Sequence, residues 1–521
     1  MKKHNIVKVI LITLLVMAVL TWIIPAGGFS EKFVDQGLMQ VGLFDLFNYP
    51  LTSLSYFGYI ALFILIIGGF YGVLYKIPAY RNILDKVVSK VMGHEELFIS
   101  ILMIVLAVLV SVCGLQLGLL IFFPLIVSII LLMGYDKIVA ALVLVGSTCV
   151  GLAGTTYAYN NISVLLQGFA IDNIGKRIEI RIIILLIGLA LLIFNTIKYM
   201  RNNKKVIKQI KKEEKIEEVK EVKVEKVSST KKKTTKSTKK KTTKSKKNLA
   251  ALKDEDVIIS SETDLDDDNI PTVSASKSTL WPMIVGLVLL FVVLVLAFIP
   301  WSSSFGIKLF EDVTTATTKF EIFKFPIFAK ILGNANPFGG WAITDMILVL
   351  FLLIGLLSFL YKIKFNDVLD GFANGAKRAI KPALVVLLIY TILVLNTYHP
   401  FYMTIYKFVF GFSKGFNIIT TVIGALLCGL FNVDLMYSFN SIIPYYASLV
   451  TNNDKYVLAQ AIFQSIYGLS MLVLPTSVVL MVVLSYLNIN FKDWLKNIWK
   501  FALEFLAVLL VLFIILSTVW K

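Results

Sequence analysis

The feature that most constrains this chain is a series of separate apolar runs, each about the length of a membrane crossing. They fall at about 6–24, 57–75, 138–171, 180–198, 282–300, 342–361, 383–398, 455–487 and 500–520. About 20 apolar residues in an α-helix cover the ~30 Å of bilayer hydrocarbon. Lipid offers no hydrogen bonds, so each run must close its own backbone bonds as a helix. Of the 521 residues, 57% are hydrophobic and 16% charged. Soluble domains carry about 25% charged residues, and a soluble core could not hide so much apolar surface. The fold class is therefore an all-α polytopic membrane protein with about nine transmembrane helices.

Two other stretches, 97–133 and 417–450, are each long enough for two short passes around a polar or glycine-containing break. Each reads either as a pair of thin spans or as a re-entrant hairpin that returns to the side it entered. The first run follows Lys2, Lys3 and Lys8 and ends at Pro25-Ala26-Gly27-Gly28. It is longer than the apolar region of a signal peptide, so it reads as a retained span.

Charge decides sidedness. The net charge is +18, but the cations lie between the apolar runs and in one insert. This placement follows the positive-inside rule and gives no reason to expect a nucleic-acid partner. Lys76, Arg81, Lys86 and Lys90 follow the second run. Lys362, Lys364, Lys377, Arg378 and Lys381 follow the sixth, and Lys492, Lys496 and Lys500 precede the last. With two re-entrant hairpins, all of these share the cytoplasmic side with the N-terminus, and the C-terminus is extracellular. One contrary patch, Lys176-Arg177 with Arg181, then falls outside, where it either snorkels or serves function. The expected location is the plasma membrane, multi-pass.

The expected domains are an N-terminal membrane half (1–200), a linker (201–280) and a C-terminal membrane half (281–521). The linker is mixed Lys/Glu, then Lys/Thr-rich with Lys-Lys-Lys-Thr-Thr-Lys-Ser at 231–237 and 239–245, then acidic. It has few large apolar residues, so it reads as a disordered cytoplasmic tether whose lysines meet anionic headgroups at most. The two halves share wording. Leu74-Tyr75-Lys76-Ile77 recurs as Leu360-Tyr361-Lys362-Ile363, and Pro124 with Asp136-Lys137 recurs as Pro444 with Asp454-Lys455. The second half carries an extra span, 383–398, so the repeats have opposite topology, as in alternating-access carriers.

The candidate chemistry lies where apolar runs are interrupted. Gly151 through Asn161 places Gly154, Thr155, Thr156, Asn160 and Asn161 inside the run at 138–171. Pro475, Thr476 and Ser477 interrupt the run at 455–487. A helix broken at mid-membrane frees backbone N–H groups for a carboxylate, and carbonyls that join Thr and Asn oxygens around Na⁺. Small and polar residues at a helix–helix contact are the bland alternative. The hairpin tips bring Ser111, Gly114 and Gln116 in one half and Asn432, Asp434 and Asn440 in the other. Deep burial would make Asp434 a proton or cation site. No catalytic residues are assigned. The three histidines are scattered, His94-Glu95-Glu96 lacks the second histidine of a zinc protease helix, and no nucleophile elbow or Walker lysine loop is present. No cofactor or metal is expected beyond Na⁺ or H⁺ as coupling ion.

Three passages carry a family resemblance. They are Thr21-Trp22-Ile23-Ile24-Pro25-Ala26-Gly27-Gly28-Phe29, Gly134-Tyr135-Asp136 with its following span, and Ala461-Ile462-Phe463-Gln464 through Leu474-Pro475-Thr476-Ser477 to Trp494-Leu495-Lys496. Both membrane halves resemble the YfcC-type family of anaerobic four-carbon-dicarboxylate-carrier-like proteins. More distantly they are similar to the p-aminobenzoyl-glutamate transporters of the ion transporter superfamily. The resemblance implies two opposed hairpins, two broken helices around the substrate, an elevator-like motion and a homodimer. Tyr159-Asn160-Asn161 lacks the Asn-Pro usual there, Tyr467-Gly468 lacks an acid before the glycine, and Leu115-Gln116 stands near expected glutamates. The expected function is secondary active transport, by ion coupling or exchange, of a small metabolite. An amino acid such as a basic one stands first, and a C4-dicarboxylate or other small carboxylate second. A passive channel and a non-transporting scaffold are the competing classes. Deleting residues 205–275 should leave most uptake in place if the chain is a carrier; loss of function with intact membrane insertion would identify a scaffold.

Overall fold

In the computed structural model, residues 5–228, 278–333, 336–413, 415–450 and 453–519 are described. Helix α1 (Asn5–Ile23) ends two residues before Pro25, and a short antiparallel β1–β2 hairpin (Ala26–Phe29, Phe33–Gly37) follows. Next come α2 (Leu43–Leu74), α3 (Pro78–Val91) and α4 (Glu95–Cys113). A 3-10 turn (Gly118–Phe122) leads into α5 (Phe123–Leu132). Helix α6 (Lys137–Ala141) continues through a π turn (Leu142–Gly146) into α7 (Ser147–Ala153); α8 (Tyr159–Gly168) and α9 (Ile178–Ser228) complete the half.

The second half opens with α10 (Trp281–Phe298). Three short helices follow in a loop: α11 (Trp301–Phe305), α12 (Leu309–Lys319) and α13 (Ile327–Leu332). Then come α14 (Ile343–Leu360), α15 (Phe365–Tyr398), α16 (Tyr402–Gly411), α17 (Ile418–Phe431) and α18 (Leu435–Leu449). Helices α19 (Tyr456–Ser470), α20 (Val478–Leu487) and α21 (Phe491–Val519) end the chain.

Eight helices among the described residues are long and apolar enough to cross a membrane: α1, α2, α4, α9, α10, α14, α15 and α21. The chain is an all-α polytopic membrane protein. The eight differ from the nine runs of the sequence at particular places. The runs at 138–171 and 455–487 are each broken in two, at 154–158 and at 471–477. The stretch 97–133 instead contains one full-length helix, α4, and a shorter arm. By contrast, α17 and α18 have 14 and 15 residues. At 1.5 Å per residue, each rises only about 22 Å, which is short of the hydrocarbon thickness.

Two helices are much longer than their apolar cores. Helix α2 begins at Leu43 because the Asp45 carboxylate accepts the Gly42 backbone N–H at 2.7 Å. The same device starts α14, where Asp345 accepts from the Ala342 N–H at 2.8 Å. Capping by an acid in the first turn thus recurs at matching places in the halves. The expected loop with Lys377, Arg378 and Lys381 and the expected span 383–398 form one continuous helix, α15. Pro382 sits inside it without ending it, since neighbouring helices re-satisfy backbone groups freed at membrane depth. Helix α9 reaches Ser228, so the linker begins as a helix; residues 229–277 lie outside the described residues.

Helices α2 and α15 pack along most of their length. Gly68 and Gly72 of α2 face Gly371 and Gly375 of α15, each pair with three residues between. A Cβ at Gly68 would lie 2.6 Å from the Gly375 carbonyl oxygen. Backbones this close leave no room for any side chain, which is how TM helices associate without a hydrophobic drive between them. The remaining helices, α4, α7, α9, α17, α19 and α21, pack around the two breaks.

Gly375→Leu should separate α2 from α15. Overpacking typically costs about 1–3 kcal/mol, so the detergent-solubilised protein should lose several degrees of melting midpoint or its monodispersity. Gly355→Leu, in α14 with nothing within 4 Å of its missing Cβ, should behave as wild type.

Candidate functional site

The first break, Gly154–Ala158, separates α7 from α8, and the second, Met471–Ser477, separates α19 from α20. Helix interruption follows from composition: Gly154-Thr155-Thr156 favours non-helical backbone, and Pro475 removes a helix hydrogen bond. Ser477 caps α20, its Oγ accepting the Leu480 N–H at 3.4 Å. Each break receives the turn between two preceding helices of its own half. Gly114, with φ of +73°, ends α4 in the left-handed conformation. Asn432 ends α17, and Asp434 caps α18 by accepting the Tyr437 N–H at 2.9 Å.

The clamp between turn and break repeats in the two halves. Ser111 is the third residue from the end of α4, and Gly429 is the third from the end of α17. The Thr156 hydroxyl donates to the Ser111 carbonyl at 3.2 Å, and the Thr476 hydroxyl donates to the Gly429 carbonyl. The first clamp is the more elaborate. The Thr156 N–H reaches the same carbonyl at 2.8 Å, and the Ser111 hydroxyl donates to the Gly154 carbonyl at 2.7 Å.

The two halves meet at the first break. Gly468 of α19 lies against the Ala153 backbone. There Gln464 Nε2 donates to the Thr155 carbonyl at 2.9 Å. Arg181, buried at 3% exposure, donates from Nη1 to the Thr156 carbonyl at 2.9 Å. Ser304, in the loop after α10, donates to the Tyr157 carbonyl at 2.6 Å. Every carbonyl from Ala153 to Ala158 therefore has a donor. The second break is sparser. Trp494 Nε1 donates to the Leu472 carbonyl at 2.8 Å, while the Pro475 and Thr476 carbonyls accept nothing from the described residues.

The buried amides around the breaks are incompletely bonded. Among the described residues, neither amide atom of Asn432 has a partner, nor do Gln464 Oε1, Asn396 Oδ1 and Asn161 Nδ2. Asn432 and Asn396 are both fully buried. Asn396, on α15, donates its other amide atom to the Phe431 carbonyl, which ties the second turn to α15. Buried polar groups are normally paired, so each of these atoms has capacity for a further partner. Asp434 lies within electrostatic reach of Tyr59 on α2, Tyr390 on α15 and Tyr467 on α19. No group of three or more His, Cys, Asp or Glu side chains with metal-binding placement exists among the described residues.

Of the residues singled out in the sequence, Gly154, Thr155, Thr156, Pro475, Thr476 and Ser477 lie in the breaks, and Ser111, Gly114, Asn432 and Asp434 lie at the turns facing them. Asn161 is in the first turn of α8 with its amide against Gly114. Gln116 sits just past the first turn, half-buried. Asn160 and Asn440 are exposed; Asn160 is the second residue of α8, directly after the first break, and Asn440 lies over a turn into α18.

Sequence reasoning missed Gln464 as a cross-half donor and Arg181 as a break residue. It also missed a cavity of about 590 Å³ between α2–α15 and the group α5, α6 and α20. Lys76, Lys137, Lys377, Arg378 and Lys381 line it, and no carboxylate does. Helix α20 runs from the second break to this cavity, which Val482, Val483 and Ser485 line.

The family described as DcuC, C4-dicarboxylate anaerobic carrier, matches residues 4–519. No curated protein and no solved structure matches the chain. Replacing Asn161 or Thr476 by alanine should abolish uptake while the protein stays in the membrane at wild-type abundance. Unchanged transport would remove these residues from the site.

Proposed function

The chain belongs to the C4-dicarboxylate anaerobic carrier family, and from that premise we propose that it is a secondary active carrier of small dicarboxylates, ion-coupled or exchanging. The observation that carries this reading is the paired clamp. Two interrupted helices at matching places each hold the turn of their own half, and buried amides at the turns and the first break keep unbonded atoms. An ungated pore has no need of such duplication, whereas alternating access does.

A carboxylate fits this site better than a basic amino acid. Asp434 is the only acid at either turn or break, so a guanidinium or ammonium substrate would find one counter-charge at most. A dianion finds unbonded amides, the buried Arg181 cation at the first break and five cationic side chains along the cavity beside α20. Basic walls raise the local concentration of an anion.

We assign coupling to the second break. Its free Pro475 and Thr476 carbonyls suit Na⁺, and Asp434 beside Tyr390 and Tyr467 suits either Na⁺ or a proton. In this reading the glycine-packed α2–α15 pair is the fixed frame and the helices around the breaks move against it. The YfcC-type kinship, the homodimer, the cytoplasmic N-terminus and linker, and the extracellular C-terminus belong to the same proposal.

Proteoliposomes given labelled succinate, fumarate and arginine, with and without Na⁺ and pH gradients and with unlabelled compound inside, test the reading. The expected result is accumulation or accelerated exchange of a dicarboxylate and none of arginine. Accumulation of arginine alone would restore the basic amino-acid reading. Flux that ignores the internal compound would indicate a channel.

A further inference from the structure

The two halves anchor their breaks with different chemistry at one matching position. Arg181 is the fourth residue of α9 and Trp494 the fourth residue of α21, the last helix of each half. Both are buried, and each donates a hydrogen bond from a ring or guanidinium nitrogen to a carbonyl in the break of its own half. Trp494 Nε1 reaches Leu472 at 2.8 Å, and Arg181 Nη1 reaches Thr156 at 2.9 Å. Arg181 Nη2 also donates to the Ile174 carbonyl, between α8 and α9.

A neutral indole N–H is enough to hold a break carbonyl, as the second half demonstrates. The first half does the same job with a full positive charge, inside a candidate membrane span. Among the described residues no carboxylate lies within ion-pair distance of Arg181; Glu179, the acid nearest in sequence, pairs with Arg177 at 3.4 Å. Glu179 reaches Arg181 only through space, from beyond ion-pair distance; burying a cation with no acid in contact is expensive, and holding Thr156 does not require it. The charge sits one peptide from the clamp, since the same Thr156 whose carbonyl Arg181 holds donates its N–H and hydroxyl to Ser111.

We propose that Arg181 is the specificity-determining residue of the site: its buried charge at the first break gives the carrier its preference for dianionic over monoanionic and zwitterionic substrates. This rests on the carrier reading above. Arg181 acts through the field at the break and not by the Thr156 hydrogen bond alone, which makes the charge and the bond separable by substitution.

The test measures succinate uptake by the full-length chain in proteoliposomes, with KM and Vmax determined separately and with lactate and succinate compared as competitors. Arg181→Trp keeps an N–H donor and removes the charge; Arg181→Gln removes the charge with a smaller side chain, should the indole not fit; Arg181→Lys keeps the charge. The expected result is a KM for succinate raised at least tenfold in Trp and Gln, loss of the succinate-over-lactate preference, and a KM within about threefold of wild type in Lys. Melting midpoints in detergent should stay within a few degrees for the Gln and Lys variants. An unchanged KM and unchanged preference in either neutral variant overturns the proposal and leaves Arg181 as a staple, and so does a lysine variant as defective as the neutral ones. Wild-type protein that takes up no succinate overturns the carrier reading itself, and this proposal falls with it.

Discussion

A backbone that leaves helical geometry inside a bilayer has to find partners for each polar group it frees, because hydrocarbon supplies none. Two such places organise this protein. At the first break the accounting is complete: Ser111, Gln464, Arg181 and Ser304, together with local backbone N–H groups, take every carbonyl from Ala153 to Ala158. These donors come from α4, α19, α9 and the loop after α10. Four distant parts of the chain are therefore held in place by the needs of six residues. At the second break Trp494 and the Thr476–Gly429 bond do the same work with fewer partners, and the carbonyls of Met471, Val473, Pro475 and Thr476 accept nothing from the described residues. A fully bonded break keeps its own shape as a unit. One with unbonded carbonyls and neighbouring unbonded amides has capacity left for a ligand.

The contact between α2 and α15 rests on the opposite principle. No side chain mediates it at Gly68, Gly72, Gly371 and Gly375; the backbones touch. Such a joint has almost no lateral freedom, since a methyl group is already too large. The polar clamps at the breaks are hydrogen bonds between single hydroxyls and single carbonyls, each worth about 1 kcal/mol net. Asn396 joins the rigid pair to the second turn by a hydrogen bond to the Phe431 carbonyl, and Asp434 acts on Tyr59 and Tyr390 through space. A molecule built this way has a stiff part and a part held by exchangeable bonds, with the basic cavity lying between them.

Most of the spans were legible in the sequence because a 20-residue apolar run in lipid has one conformational solution. The breaks were legible for the complementary reason: Gly154-Thr155-Thr156 and Pro475-Thr476-Ser477 are residues that a lipid-facing helix has no use for. What escaped was whatever depends on how long a helix runs past its apolar core. Helix α15 starts at Phe365 and carries Lys377, Arg378 and Lys381 on a helical surface, where hydropathy reports only a polar loop. The same lysines satisfied the positive-inside rule so well that nothing suggested they also line a cavity. Asn440 was read as part of the turn because hydropathy does not show where a helix begins, and it lies over a turn into α18. Arg181 stood out as a charge on the wrong side, and only the break carbonyl at 2.9 Å explains why it is there.

At matching positions the two halves differ wherever one chemical group can do another's structural work. Thr156 and Thr476 have not diverged; each holds the carbonyl three residues from the end of a preceding helix. Ser111 and Gly429 have, and the hydroxyl that Ser111 adds closes the first break more tightly, while Gly429 leaves space that Ser470 occupies. Arg181 and Trp494 differ most, a charge against a neutral donor. The differences run one way: the first half carries more donors and a cation, and the second carries free acceptors and Asp434. A positive site beside an acceptor-rich one suits the proposed pairing of an anion with a counter-cation, because each lowers the electrostatic penalty of burying the other.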